Sequence, residues 1–281
     1  MRAIVAAMFL IGICTGQATP SPEQQEINTI MMKSTFRVVG SNHETATGFI
    51  IGRPIPNSTS FAYVLVTAAH VLGGMNSDSA TLIVRTQDAQ KHWQPIPVPF
   101  QLRSNGRTLW VQNPSADVAA MYVSLPTGVL PAVVPETLLA VDGDLAKYEV
   151  HPGDELNVLG YPLGASGPSD FPILRSGKIA SYPLIPSKDN PYFLLDFRVF
   201  KGNSGGPAYL VSYNRVYGGG VNVGTVGMVL GLVSEEIGFT QQTQELYETR
   251  VQTTPLSLAK VVPSTLIRET IDMLPTPKDG Q

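Results

Sequence analysis

All four histidines of this chain, His43, His70, His92 and His151, precede Ser204, the serine inside the run KGNSGGPAY (201–209). A serine hydroxyl becomes a nucleophile only when a neighbouring base takes its proton. GNSGG satisfies the G-x-S-x-G pattern of α/β-hydrolases, but in that fold the catalytic histidine follows the serine. No histidine follows Ser204, so an esterase or lipase of that fold is excluded by order alone. The subtilisin order, Asp then His then Ser, offers nothing to His70, because the first aspartate is Asp78. His92 or His151 could enter that order, although neither stands in a flanking pattern that points to it. For His70 the order left open is His, Asp, Ser.

The fold class follows from how often the chain must turn. It has 26 glycines and 23 prolines in 281 residues, and only 15% charged residues, against roughly 25% in ordinary globular chains. Short β-rich runs recur between turn residues. TFRVV (35–39), TGFIIG (47–52), FAYVLVT (61–67), TLIVR (81–85) and DVAAMYV (117–123) form a first set. ELNVLG (155–160), 174–181, YFLLDFRVF (192–200), 207–211 and 226–234 form a second. PTGVLPAVVP (126–135) lies between them, uncharged and proline-punctuated, and reads as a linker. The pattern predicts an all-β protein with a first β-unit over 19–125 and a second over 136–262. Helix is expected only near the ends: a short one over 23–33, and one over 265–274 with Ile267, Ile271 and Leu274 on one stripe between Pro263 and Pro275. The glycine-rich run 217–231 reads as a surface loop.

The first residues, MRAIVAAMFLIGICTGQATP, place Arg2 before a short apolar run and small residues, the pattern of a secretory signal peptide over 1–18 cleaved after Ala18. The run is too short to span a bilayer, so no membrane span is expected and the protein is expected to be secreted or periplasmic. Cys14, the only cysteine, lies within this leader; a lipoprotein anchor there is the minor alternative, since Ile13 is not the small residue such a signal carries. The mature chain then has neither disulfide nor thiol nucleophile. A formal charge of −3 with no basic run argues against nucleic acid as a partner. His43-Glu44 lacks the second histidine of H-E-x-x-H, so no metal and no cofactor is expected.

His70 closes FAYVLVTAAH, an apolar strand that runs into small residues and leaves room beside the imidazole. Nine aspartates lie between His70 and Ser204. Asp117 differs from the rest because apolar strand residues follow it at once, which places it at a rim, partly buried. A buried carboxylate needs a partner, and an imidazole N–H supplies one. By contrast Asp142, Asp144 and Asp154 stand in turn-like contexts.

TAAH (67–70), DVAAMYV (117–123) and GNSGGP (202–207), in that order, resemble the chymotrypsin-like serine proteases. TGFII (47–51) and LGLVSEE (230–236) resemble that family's strands before the histidine and after the serine. GNSGGP, LGYPLG (159–164) followed by RSGKIAS (175–181), and Asp196 upstream of Ser204 are closer to the Deg/HtrA branch, although the stretch after Gly238 is too short for that branch's PDZ domain. The resemblance implies two six-stranded antiparallel β-barrels with an active site between them, followed by a C-terminal helix and tail over 263–281. It implies a peptidase of polypeptide substrates in which Ser204 attacks, His70 transfers the proton, Asp117 orients His70, and the N–H groups of Gly202 and Ser204 form the oxyanion hole. Asn203 stands where digestive enzymes carry an aspartate, so activation by pairing with a freed N-terminus is not expected. The walls of the specificity pocket are expected from Arg198, Val199, Ser234, Glu235 and Glu236, with Arg198 either turned inward or paired to Asp196. Two rival readings use the same fold: a catalytically silent binding module, and a hydrolase of esters. Oligomeric state is not legible.

Overall fold

The structure is a computed structural model that describes residues 26–126, 129, 133–244 and 249–277. The expected leader over 1–18, with Cys14 and the cleavage site, lies outside the described residues, as does much of the 126–135 linker. Helix α1 (Ile27–Ser34) leads directly into β1 (Thr35–Val39). There follow β2 (Thr45–Pro54), β3 (Phe61–Thr67), the short helix α2 (Ala69–Gly73), β4 (Ser79–Gln87) and β5 (Trp93–Gln101). A small hairpin, β6 (Arg103–Ser104) with β7 (Arg107–Thr108), precedes β8 (Val111–Gln112) and β9 (Ala119–Tyr122).

The first half is one eight-stranded sheet in the order β5-β4-β1-β2-β3-β9-β8. Its eighth strand, β10 (Val134–Pro135), lies in the expected linker and pairs in parallel with β2 at Ile51 and Gly52. Among the described residues this sheet has eight strands and one parallel pair, and no strand pairing closes it as the second half is closed. β5, WQPIPVPFQ, did not read as a strand because of Pro95, Pro97 and Pro99. The three share one parity on an edge strand, where a residue without an N–H costs no ladder bond.

The second half closes. After helix α3 (Asp142–Lys147), strands β11 (Glu155–Gly160), β12 (Ile173–Ile179), β13 (Phe193–Asp196) and β14 (Pro207–Tyr213) are followed by a small hairpin, β15 (Val216–Tyr217) with β16 (Gly220–Val221). Then come β17 (Thr225–Gln244) and β18 (Thr249–Pro263). The barrel order is β11-β12-β13-β18-β17-β14. The glycine-rich run 217–231 is therefore not one loop: from Thr225 it is strand, paired along β14. Leu156, Val158, Leu195, Leu210, Leu230 and Val261 fill the barrel.

A separate core lies under the first sheet and reaches across to the second half through Leu159, Tyr209, Val229 and Leu232. Helix α4 (Ser264–Asp272) buries Leu266, Ile267 and Ile271 in that core. Arg53 donates to the carbonyl of Ile271 at 2.9 Å and Asn113 to that of Leu266 at 3.3 Å, so the C-terminal helix, though it follows the barrel, is held by the first half. No helix among the described residues is long and apolar enough to cross a membrane.

Candidate active site

The register of two neighbouring strands brings His70 and Asp117 together. Thr67, the last residue of β3, lies opposite Ala119, the first of β9. His70 follows Thr67 at the start of α2, and Asp117 precedes Ala119, so both occupy the same rim. The sequence pattern opens a strand at Asp117; the strand begins two residues later, at Ala119, with Val118 N–H closing a turn on Ala116. That leaves the carboxylate free to turn outward. Asp117 Oδ1 accepts the backbone N–H of His70 at 2.9 Å, and Oδ2 lies 2.7 Å from His70 Nδ1. Ser234, expected only in the substrate pocket, also donates to Oδ2, at 2.5 Å.

These bonds set the charges. Burial works against ionisation of Asp117, but hydrogen bonds from His70 and Ser234 outweigh it and bring its pKa down to about 2. The hydrogen bond to Asp117 raises the pKa of His70 above its ordinary 6.5, against burial, which lowers it. With Nδ1 committed to the carboxylate, Nε2 is the nitrogen left to exchange a proton.

Ser204 sits in a tight passage into β14. Asn203 N–H bonds to Phe200 O at 3.0 Å, with Gly202 between them at φ +97°. This is a turn whose third position needs a positive φ. A Cβ on Gly202 would lie 2.1 Å from the carbonyl oxygen of Tyr161, and one on Gly205 2.1 Å from that of Thr47. The glycines of GNSGG thus permit close backbone approach, and the turn is then locked from outside. Thr47 Oγ1 donates to Gly202 O at 2.6 Å, Thr47 N–H to Ser204 O at 2.9 Å, and Leu163 N–H to Lys201 O at 2.6 Å. Because C=O and N–H of one trans peptide point in opposite directions, the Gly202 N–H is turned away from Leu163. Sequence reading missed both braces. A buried threonine hydroxyl inside the apolar run TATGFII was the available signal for Thr47, and a backbone donor such as Leu163 leaves none.

Ser204 Oγ makes no hydrogen bond to His70 in this structure, and such contacts commonly tighten only with substrate in place. Both residues line two adjoining cavities. One, of about 490 Å³, is walled by Asp117, Val199, Phe200, Lys201 and Ser234–Glu236. The other, of about 430 Å³, is walled by residues including Thr45, Ala46, Met75 and Leu163. Arg198 lines neither: it is exposed, its guanidinium lies over the Phe200 ring at 5.1 Å, and it forms no ion pair with Asp196. That corrects both expectations for Arg198. Glu235, at the wall of the first cavity, is paired with Lys260 at 2.6 Å. Among the described residues no three His, Cys, Asp or Glu side chains gather as a metal-binding set.

A nucleophile-bearing turn, a carboxylate-held imidazole and an open cleft between them can support acyl transfer without a cofactor. No curated protein matches the chain. Similar solved structures include that of HBP at atomic resolution, with 14% identity and TM-score 0.49 over 90% of this chain and 96% of that one. Another is the protease Anisep from Arthrobacter nicotinovorans, with 14% identity and TM-score 0.47 over 85% of this chain and 93% of the other. The sequence profile of the trypsin-like peptidase domain matches residues 46–218, a stretch that contains His70, Asp117 and Ser204. With more than half its length matched, this chain belongs to the trypsin-like peptidase domain family.

Proposed function

We propose that the protein is a serine endopeptidase, secreted or periplasmic, that cleaves polypeptides through an acyl-enzyme. The observation that carries this reading is the doubly bonded His70–Asp117 pair facing the same cleft as Ser204. Ser204 Oγ attacks the scissile carbonyl while His70 Nε2 takes its proton; the tetrahedral intermediate collapses and His70 delivers that proton to the leaving amine. Water, deprotonated by the same imidazole, then releases the acyl group and regenerates Ser204. Asp117 holds the tautomer and stabilises the imidazolium, and Ser234 holds Asp117. The Gly202 N–H, turned away from Leu163, and the Ser204 N–H are the donors for the oxyanion. Within the family, GNSGGP and LGYPLG favour a Deg/HtrA-like relationship.

The test is covalent labelling by a fluorophosphonate probe. Wild type is expected to label and Ser204→Ala to remain unlabelled, with peptide-library cleavage following the same division. A folded wild type that neither labels nor cleaves would instead identify a silent binding module, and cleavage of esters without peptides would identify an esterase. Mass analysis of the mature N-terminus after export checks the leader.

A further inference from the structure

Residues 161–172 join β11 to β12. Within them Leu163 has φ +54°, Ser169 +55° and Asp170 +61°, three residues other than glycine in the left-handed region. Such conformations are strained and persist only where the surroundings over-determine them. The segment meets the Ser204 turn at one backbone bond, Leu163 N–H to Lys201 O at 2.6 Å. Through the Lys201–Gly202 peptide, that bond turns the Gly202 N–H away from Leu163.

Side chains from the first half hold the segment in place. Arg85 fixes its two ends, donating to Tyr161 Oη at 3.1 Å and to Asp170 O at 2.9 Å. Arg37 on β1 grips the part between them. Its Nη1 donates to the carbonyl of Gly164, next to Leu163, at 3.4 Å, and its Nη2 lies 2.6 Å from the Asp170 carboxylate. Arg37 stands directly opposite Thr47 in the β1–β2 register, so the two side chains share one face of the sheet. Thr47 Oγ1 donates to Gly202 O at 2.6 Å. One cross-strand pair therefore holds both sides of the Leu163–Lys201 contact, Thr47 on the turn and Arg37 on the loop.

The ion pair is poorly built for stability. The Asp170 side chain is 5% exposed, yet Asp170 Oδ2 and Arg37 Nε are both buried with no hydrogen-bond partner among the described residues. A buried ion pair with unsatisfied atoms repays little of its desolvation. What the pair does supply is a fixed position for a strained loop.

We propose that Arg37 is a positioning residue for the oxyanion site. By holding Gly164 and Asp170 it keeps Leu163 on Lys201 O, and so keeps the Gly202 N–H aimed at the cleft. Arg37 itself touches neither substrate nor reacting atoms. The inference rests on the peptidase reading for the use of that N–H.

Arg37→Met removes the guanidinium and leaves Asp170 a buried, unpaired carboxylate, which destabilises the fold. Combining it with Asp170→Asn removes both charges, so the midpoint of denaturant unfolding is expected to recover while the grip on the loop does not. For a peptide that wild type cleaves, kcat is expected to fall roughly 10- to 100-fold in both variants with KM changed by less than about twofold. Recovery of kcat together with the midpoint in the double variant makes Arg37 a purely structural residue and overturns the proposal. A change confined to KM overturns it as well. Should the double variant remain destabilised, Arg37→Lys decides. It keeps a charge beside Asp170 without the fork that also reaches Gly164 O, and it must lower kcat without raising KM for the proposal to stand.

Hydrogen exchange separates this from the catalytic reading. In a Ser204→Ala background, the Leu163 N–H of the double variant is expected to exchange at least about tenfold faster than in the parent, while amides of β11 keep their rates. Faster exchange in a protein whose wild type cleaves nothing supports the brace and sinks the peptidase reading alone. Unchanged exchange at Leu163 overturns the brace, whatever the catalytic result.

Discussion

The carboxylate of Asp117 accepts from three donors, the His70 N–H, the His70 ring and the Ser234 hydroxyl. An amide in its place cannot accept on both sides, and it offers an N–H to an imidazole nitrogen that ought to donate. Asp117→Asn is expected to lower kcat/KM by about 10⁴-fold. It also changes the pH profile in a definite direction. The bond to Asp117 raises the pKa of His70 above 6.5 while burial lowers it, and in the proposed mechanism His70 serves as base only when neutral. Wild-type activity is therefore expected to be lost as pH falls through that raised value. Without Asp117 the burial effect remains, and the residual activity persists to lower pH. Coincident acid limbs in kcat/KM profiles of the two proteins would show that Asp117 does not set the basicity of His70.

At the scale of elements, the turn from Phe200 to Asn203 carries the proposed oxyanion donors, and it has no room for a side chain at Gly202. Gly202→Ala would place a methyl 2.1 Å from the Tyr161 carbonyl at φ +97°, so the turn must shift. The expected result is a fall in kcat of about 10²–10³-fold with KM little changed, measured by single-turnover kinetics on a peptide that wild type cleaves. A fall in affinity alone would mean the turn shapes the pocket and not the donors. Elements differed in how plainly they were written. β1, β3 and β11 could be read to the residue, because apolar and β-branched runs were bounded by turn residues. β5 was hidden by its prolines. The outer reach of β17 and the outer part of β18 were hidden because the stretch beyond Ile237 is rich in Thr and Gln, with residues 239–241 and 252–255 exposed and no apolar alternation in the run. Register shifts after Val233 and Ile237 interrupt the period again.

For the whole molecule, Arg85 joins the two halves. It is 3% exposed and lies between the rings of Phe36 and Phe171 at 4.7 and 4.3 Å. One nitrogen donates to Thr35 O at 2.7 Å in the first half; the other donates to Tyr161 Oη at 3.1 Å and Asp170 O at 2.9 Å in the second. Arg37 reaches the Asp170 carboxylate at 2.6 Å beside it. A lysine keeps the charge but neither the planar stack nor the fork of donors, and leaves buried carbonyls without partners. Arg85→Lys is expected to destabilise the fold by roughly 3 kcal/mol, read from the midpoint of denaturant unfolding. An unchanged midpoint would mean that Arg85 adds nothing to the hold that the shared apolar core and the links from Arg37 and Thr47 already give.

Residue type and order sufficed to name Ser204, His70 and Asp117 as candidates, because nucleophile, base and orienting acid each require particular chemistry in a recognisable local run. The density of Gly and Pro likewise sufficed for an all-β class. What only the tertiary structure decided are relations between residues far apart in the chain. Ser234 meets Asp117 across 117 positions and Thr47 meets Gly202 across 155. The second half closes into a barrel, while the first is joined by β10 and has no closing strand pair among the described residues. Local periodicity records which way a side chain faces, whereas strand partners and register are set by packing between segments that no local pattern connects.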